Sequence, residues 1–383
     1  MEIDTKNIGK ISDDIKIIYA NNNEPQIVIF KQYYDILCNI KNNIDNNEKL
    51  WEKYKKIINP YELLHVSNGK YKKNRIVRYN PISRSYFKMI ELIVDYNLLD
   101  SVKNKSATFA CLAEGPGGFM EAINNYRKSF VNTDLDKIYG ITLEPNNYTI
   151  PDWSKNINIP KKFNITYGNL YNVNDIKKFS ENFNNNNNKA FLVSADGGFD
   201  YSVDFNNQEQ LSYRIIFCEI ITAFSILQIN GNFVCKIFDI FNIFTMKIIY
   251  LLGCYFEKVY IVKPKTSRVA NSEKYIVCKG FKGISPETLN IYFTNISEWK
   301  ETPAIDIGGI KLNNEFIQNI YEYNKKYLDI QLKYMKDIIY YIENGINDEK
   351  YNSIMKDKVE KALEWCKKYN VRINHEYTTL NSF

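Results

Sequence analysis

The sequence predicts an α/β fold in which a mostly parallel sheet carries helices on both faces. Residues 108–119 read TFACLAEGPGGF, where five small or apolar residues of strand length precede an acidic residue, a glycine-rich turn and a helical pattern. Strand-like and helix-like stretches then alternate as far as residue 278. Such alternation builds parallel sheets whose ligands lie at the carboxyl ends of the strands.

Composition sets broad limits. The 383 residues can form one main domain with two flanks. A net charge of +6 permits a nucleic acid partner without requiring one. Seven cysteines without a CxxC pair, and only two histidines, argue against a zinc site and against a disulfide framework, so we predict no metal. The most apolar stretches, 215–229 and 237–256, contain charged residues and are typical of a protein core rather than of membrane spans.

The first 80 residues carry weaker signals. We predict a strand at 26–30 with helical pieces around it, and a helix over 50–64 that Pro60 interrupts. Two basic stretches, 53–56 and 69–78, are either solvated surfaces or a phosphate-binding surface. A further helix spans 83–98, and Lys88 lies among its polar positions, as an exposed lysine would.

The rest of the chain follows the alternation. Further strands are predicted at 137–143, 164–167, 190–195, 232–238, 258–262 and 274–278, and helices at 208–228 and 243–252. Beyond residue 286 the pattern is helical, notably at 314–341 and 350–369. These helices could cap the preceding domain or bind a partner, and the sequence leaves both open.

The glycine turn lacks both the GxGxxG fingerprint of dinucleotide sites and the P-loop pattern. A short turn next to Glu114 suits the zwitterionic amino-acid end of S-adenosylmethionine, although a tight turn that binds nothing has the same local pattern. Charged residues mark three other strand ends, at Asp196, Lys236 and Glu273. Neighbouring lysines in such a pocket should have depressed pKa values, as a lysine base requires.

Four stretches carry a family resemblance: AEGPGGF, ADGGF, GNFVCKIFD and KPKTSRVANSEKYIVCKGF. They resemble the FtsJ-type 2'-O-ribose methyltransferases, and most closely the group that acts on capped mRNA. The similarity runs from the NPYE at residue 59 to about residue 281. It implies an α/β, Rossmann-like S-adenosylmethionine-dependent methyltransferase fold with a mostly parallel sheet, one antiparallel edge strand and helical N- and C-terminal flanks. The implied segments are 1–79, 80–285 and 286–383.

The resemblance also implies the site residues. The family's catalytic Lys-Asp-Lys-Glu tetrad falls on Lys88, Asp196, Lys236 and Glu273. Cofactor binding falls on Ser83, Ala113, Glu114, Gly115, Pro116, Gly117, Gly118, Phe119, Asn169 and Asp196. RNA binding falls on Lys55, Asn206, Asn207, Gln208 and Asn271. Asn169 is a departure, because the family commonly has an aspartate there, although an amide can also hydrogen-bond adenine.

The implied activity is transfer of a methyl group from S-adenosylmethionine to the 2'-hydroxyl of the first transcribed nucleotide of capped mRNA. Alternatives are the same chemistry on ribosomal or other RNA, and a non-catalytic RNA-binding subunit of a capping or polyadenylation complex. The C-terminal helices could contact other capping or transcription proteins. We expect a soluble protein of the cytoplasm or nucleus. The Asn-, Lys- and Ile-rich composition suggests a large DNA virus or an AT-rich protist; a viral protein would act in the host cytoplasm or virion.

Overall fold

The computed structural model describes residues 1–5, 8–9, 11, 15–20, 29–42, 47–65, 75–130, 135–145, 153, 163–184, 188–198, 206–374 and 377. Within them, one eight-stranded sheet and one two-stranded sheet are formed. The strands are β1 Glu2–Ile3, β2 Lys16–Tyr19, β3 Thr108–Leu112, β4 Lys137–Thr142, β5 Phe163–Tyr167, β6 Ala190–Ala195, β7 Leu227–Ile237, β8 Phe256–Val262, β9 Lys274–Phe281 and β10 Ala304–Gly308.

The large sheet has the order β1-β8-β9-β7-β6-β3-β4-β5. Strands β7, β6, β3, β4 and β5 pair in parallel, which confirms the predicted mostly parallel sheet. The predicted antiparallel edge strand is present as β1, and a second antiparallel strand lies inside the sheet. Strand β9 is antiparallel to both β7 and β8 and lies inside the sheet, because β8 returns outside it. The edge is formed by the two-residue strand β1, which is also antiparallel.

Helices cover both faces of this sheet. They are α1 Lys31–Asn42, α2 Glu48–Ile58, α3 Ser85–Asp95, α4 Gly118–Arg127, α5 Val173–Ser180, α6 Gln208–Leu211, α7 Tyr213–Ile226, α8 Ile243–Tyr255, α9 Pro286–Ser297, α10 Asn314–Asn344 and α11 Asp348–Lys368. Alternate residues of a strand face opposite sides. Phe109 and Cys111 of β3 therefore pack with α3, α4 and α11, whereas Ala110 and Leu112 pack with α7, α8 and α10.

The predicted central strands and their helices are confirmed, with shifts of a few residues at their ends. The helix predicted over 50–64 ends at Ile58, and a short 3-10 turn, Glu62–Leu64, follows Pro60. Most of the strand predicted at 26–30 lies outside the described residues, and Ile29 and Phe30 form a turn before α1. The small sheet of β2 and β10 was not predicted.

The C-terminal helices pack on the preceding segments. In α10, Asn324 donates to the carbonyl of Ile240 at 2.6 Å and Gln331 to that of Ala270 at 3.2 Å. In α11, buried Lys358 donates to the carbonyl of Ile57 at the end of α2. These contacts join both helices to the preceding segments, and the choice between capping and partner binding stays a prediction. Of the described helices, none combines the length and apolar character that crossing a membrane requires.

Candidate active site

The glycine turn between β3 and α4 is held in an unusual backbone conformation. Ala113 and Gly117 have positive φ values of 52° and 109°, and the Gly115–Pro116 peptide bond is cis. Helix α4 begins at Gly118 with no side-chain cap from the described residues, so its first amides remain available to a ligand. A side chain at Gly118 would overlap the hydroxyls of Ser83 and Ser85, so the turn lies directly against the start of α3.

Glu114 is buried beside this turn. Ser194 donates to its Oε1 atom, whereas Oε2 has no hydrogen-bond partner among the residues that the structure describes. Burial raises the pKa of Glu114 well above its ordinary value, and the nearby carboxylate of Asp196 adds to that effect. A buried polar atom without a partner is costly, which makes Oε2 a candidate partner for a ligand's amino or carboxyl group. The turn and Glu114 thus fit the amino-acid end of S-adenosylmethionine.

Asn169 lies in the turn after β5, close to the same edge of the sheet. Its Oδ1 atom accepts from the backbone of Tyr171 at 2.9 Å, and its own backbone amide donates to Asp175. The carbonyl oxygen is therefore engaged within the turn, and the NH₂ group is the part suited to donating to a base. Leu143 and Tyr167, at the ends of β4 and β5, are 39% and 44% exposed and offer apolar surface on neighbouring strands.

The four predicted catalytic residues form two ion pairs. Lys236, near the end of β7, lies 3.3 Å from Oδ1 of Asp196 and donates to the Asp196 carbonyl at 2.8 Å. Lys88, on α3, lies 2.7 Å from one oxygen of Glu273 and donates to the other at 2.8 Å. Tyr275 joins the pairs, since its hydroxyl donates to Asp196 at 2.9 Å and its ring lies 5.9 Å from Lys88 Nζ.

Lys88 differs from its sequence-based interpretation as an exposed lysine. Only 14% of its side chain is exposed, because the polar side of α3 faces the turn before β9 rather than solvent. The structure thus brings Lys88 and Glu273 together from positions 185 residues apart.

The expected depression of the pKa of Lys236 is contradicted. Burial would lower it, but the carboxylates of Asp196, Glu273 and Glu219 outweigh burial and raise it above its ordinary value. Lys88 is itself paired with Glu273. The same pairing, together with the charge of Lys236, overcomes burial and lowers the pKa of Glu273 to about 2.

Two glycines bring the backbone close to Lys236. A Cβ atom at Gly198 would lie 2.9 Å from Lys236 Nζ, and one at Gly197 would overlap buried Glu219. Glu219 accepts from the amide of Gly197 at 2.9 Å, and burial raises its pKa to about 8. The Gly-Gly pair after Asp196 therefore lets the backbone approach Lys236 and Glu219 more closely than any side chain would allow.

The predicted RNA-binding residues come from separate parts of the chain. Gln208 accepts from the hydroxyl of Ser272, which is next to Asn271, so these two segments meet. Asn206 donates to Asn42 at 2.7 Å, and Asn207 precedes helix α6. Lys55 is only 11% exposed and pairs with Glu52, and burial, with a smaller effect of Arg268, lowers its pKa. Lys72 and Lys73 lie outside the described residues.

One cluster beside the tetrad was not predicted. Glu62 accepts from Arg268 through both oxygens, at 2.8 and 3.1 Å, and pairs with Arg84 at 3.2 Å. These arginines overcome burial and lower the pKa of Glu62 to about 2. Arg84 lies one helical turn before Lys88. The NPYE stretch, which contains Glu62, was recognisable in the sequence, but the pairing of Glu62 with Arg84 and Arg268 was not.

The chain is similar in sequence to known methyltransferases. Residues 81–281 match the model of the FtsJ-like methyltransferase family. Cap-specific mRNA (nucleoside-2'-O-)-methyltransferase 1 of Mus musculus is 33% identical over 256 residues, covering 62% of this chain and 30% of that protein. The Homo sapiens protein of the same name is 32% identical over 266 residues, covering 63% and 31%. The chain thus spans about a third of the length of these relatives.

A solved structure described as a ribosomal RNA methyltransferase from Plasmodium falciparum is 21% identical, with a TM-score of 0.41, and covers 53% of this chain and 99% of its own. The family match extends over more than half of the chain and includes the glycine turn and all four residues of the two ion pairs. This chain belongs to the FtsJ-like methyltransferase family.

Proposed function

We propose that the protein transfers a methyl group from S-adenosylmethionine to the 2'-hydroxyl of the first transcribed nucleotide of capped mRNA. The observation that carries the proposal is that the Lys236–Asp196 and Lys88–Glu273 pairs converge beside the glycine turn. The capped substrate is inferred from relatives that are about a third identical and named for that activity.

The residues have the following proposed roles. The Ala113–Phe119 turn, with Ser83 and Glu114, binds the amino-acid end of S-adenosylmethionine, and Asn169 donates to its base. The cofactor supplies an electrophilic methyl group on a sulfonium sulfur. Lys236 takes the proton of the 2'-hydroxyl. The hydroxyl oxygen then bonds to the methyl carbon, and the bond from that carbon to sulfur breaks. Asp196 holds Lys236, and the Lys88–Glu273 pair positions the ribose.

Lys236 can accept a proton only when it is neutral. Its pKa is raised chiefly by Asp196, so its neutral fraction is small at pH 7 and grows with pH. We therefore expect the single-turnover rate to rise with pH above 7, and Asp196→Asn to move that rise to lower pH while reducing the maximum rate. A rate independent of pH across pH 6 to 10 would contradict a lysine base. Single-turnover methyl transfer over this range, with the RNA checked for hydrolysis, measures the profile.

The cap assignment is tested with matched RNAs. We expect purified protein to transfer labelled methyl groups to an RNA with a guanosine cap and unmethylated first ribose, and not to the same RNA ending in a triphosphate. A capped RNA that already carries a 2'-O-methyl group on its first nucleotide is the control for the site of transfer. Equal labelling of the uncapped RNA would instead favour the alternative of ribosomal or other RNA.

The non-catalytic alternative predicts binding of RNA without transfer to any of these substrates. The two intact ion pairs argue against it, because an RNA-binding subunit would not require a buried lysine paired with Asp196. The phosphate-binding roles of Lys55 and the basic stretches 53–56 and 69–78 stay predictions. A role for the C-terminal helices in contacting capping or transcription proteins also stays a prediction.

A further inference from the structure

The turn before β9 carries both Asn271 and Glu273, and it is fixed by side chains from outside itself. Glu91 of α3 accepts from the backbone amides of Lys265, at 2.6 Å, and Thr266, at 2.8 Å. The next residue, Ser267, donates its hydroxyl proton to Oε1 of Glu273 at 2.9 Å. The turn therefore transmits the position of Glu91 to Glu273.

These contacts close into a ring. Glu273 pairs with Lys88, and Lys88 lies three residues before Glu91 on the same helix, so both sit on one face of α3. The chain itself links Lys88 to Glu91 and Thr266 to Ser267, and the remaining links are hydrogen bonds and one ion pair. Because the ring is closed, a shift of Glu91 relative to α3 changes the geometry of the Lys88–Glu273 pair.

One further donor reaches the ring from the C-terminal flank. Trp365 of α11 donates its indole N–H to Oε1 of Glu91 at 2.9 Å. Glu91 is 3% exposed and Trp365 2% exposed, so solvent cannot replace this bond. The indole also packs edge-on against Phe87, at 5.5 Å between ring centroids. Trp365 lies 84 residues beyond the part of the chain that matches the family model, which ends at residue 281.

We infer that Trp365 is a positioning residue for methyl transfer, acting through Glu91 and the 265–267 turn on the Lys88–Glu273 pair. Helix α11 is then part of the active-site scaffold, a role that goes beyond capping the domain. Burial raises the pKa of Glu91, while its hydrogen bonds from Trp365, Thr266 and Lys265 oppose the rise. Loss of the indole donor pushes Glu91 toward the neutral form, which is a weaker acceptor for the two amides.

The test uses Trp365→Phe in the full chain, which keeps an aromatic ring and removes the N–H. We expect kcat to fall roughly 5- to 30-fold, because Oε1 of Glu91 loses one of its two donors and keeps only the amide of Thr266, with KM for S-adenosylmethionine within about twofold. Trp299→Phe is the matched control. The Trp299 indole packs against the aromatic side chains of Tyr19, Phe217 and Phe244, away from Glu91. Unchanged kcat in Trp365→Phe would overturn the inference.

A double-mutant cycle separates positioning from general loss of stability. Ser267→Ala removes the hydroxyl that links the turn to Glu273. If Trp365 acts through this turn, Trp365→Phe should reduce kcat much less in the Ser267→Ala background than in the wild-type protein. Effects that multiply independently would mean that α11 acts by another route and would overturn the inference. If Trp365→Phe does not fold, Glu91→Gln, which retains one acceptor oxygen, takes its place in the cycle.

The inference rests on the proposed methyl transfer for its kinetic test, so a second measurement is independent of activity. Hydrogen exchange of the Lys265 and Thr266 amides should become faster in Trp365→Phe and remain unchanged in Trp299→Phe. Unchanged exchange at these amides would overturn the inference. The wild-type protein could also fail to methylate any RNA. If exchange is nevertheless faster in Trp365→Phe, the positioning contact is supported and only the proposed function is wrong.

Discussion

Replacing Lys236 with alanine is expected to reduce methyl transfer by about 10²- to 10⁴-fold, the usual contribution of a general base. Nζ of Lys236 is held by the carboxylate and carbonyl of Asp196. Because the lysine acts on the hydroxyl of the RNA, the affinity for S-adenosylmethionine should change by no more than about threefold. Single-turnover transfer and calorimetric titration with the cofactor measure the two quantities.

Two variants sharpen this prediction. Lys236→Arg keeps the positive charge beside Asp196 but cannot act as a base at neutral pH, so it should be nearly as inactive as Lys236→Ala. Lys258→Ala is the matched control, since this lysine is 58% exposed and pairs only at 3.9 Å with Glu2. If Lys236→Ala folds and transfers methyl groups at the wild-type rate, another group is the base. If it folds but no longer binds the cofactor, Lys236 belongs to the cofactor site.

Gly117→Val is expected to prevent cofactor binding, raising the dissociation constant of S-adenosylmethionine by at least roughly 100-fold. Gly117 has a φ of 109°, which a β-branched residue does not adopt without strain. The strain would distort the turn at the start of α4, and the valine side chain would fill space that the backbone leaves for the ligand. Binding of the cofactor is measured by calorimetric titration, independently of RNA.

The control for Gly117→Val is Gly345→Ala, at a glycine that also has positive φ, 73°, and has open space around it. A loss of stability without loss of cofactor binding is expected there, because the backbone at Gly345, with a ψ of −178°, costs an alanine about 1–3 kcal/mol. Thermal unfolding of both variants shows whether Gly117→Val remains folded. A folded Gly117→Val protein that binds the cofactor normally would mean that the ligand does not approach this turn.

The central sheet was predictable because its signals are local. Each of β3, β6 and β7 is a short apolar run that ends near a charged residue or a glycine turn, and parallel sheets place such ends together. The resemblance then named Lys88, which no local pattern distinguished from a surface lysine. Its surroundings depend on Glu273, which is 185 residues away in the chain.

The features that escaped prediction depend on contacts between distant segments. Strands β2 and β10 have ordinary local patterns and are defined by pairing with each other. The antiparallel strand β9 inside the sheet was not predicted, because strand order is a global property. The pKa of Lys236 was predicted in the wrong direction, since its sign depends on how many carboxylates surround the amine, and Glu219 gave no signal in its apolar helix.

The pairing of the N-terminal flank with residues about 280 positions later has a consequence for synthesis on the ribosome. The backbone amide of Ile17 in β2 donates to Asn295, 278 residues later, and β2 also pairs with β10. At about 5–20 residues per second, β2 would wait on the order of 15–60 s for these partners to be made. During that interval its backbone groups bond only to water and are open to pairing with other nascent chains. This small sheet can therefore form only after residue 308 has been made.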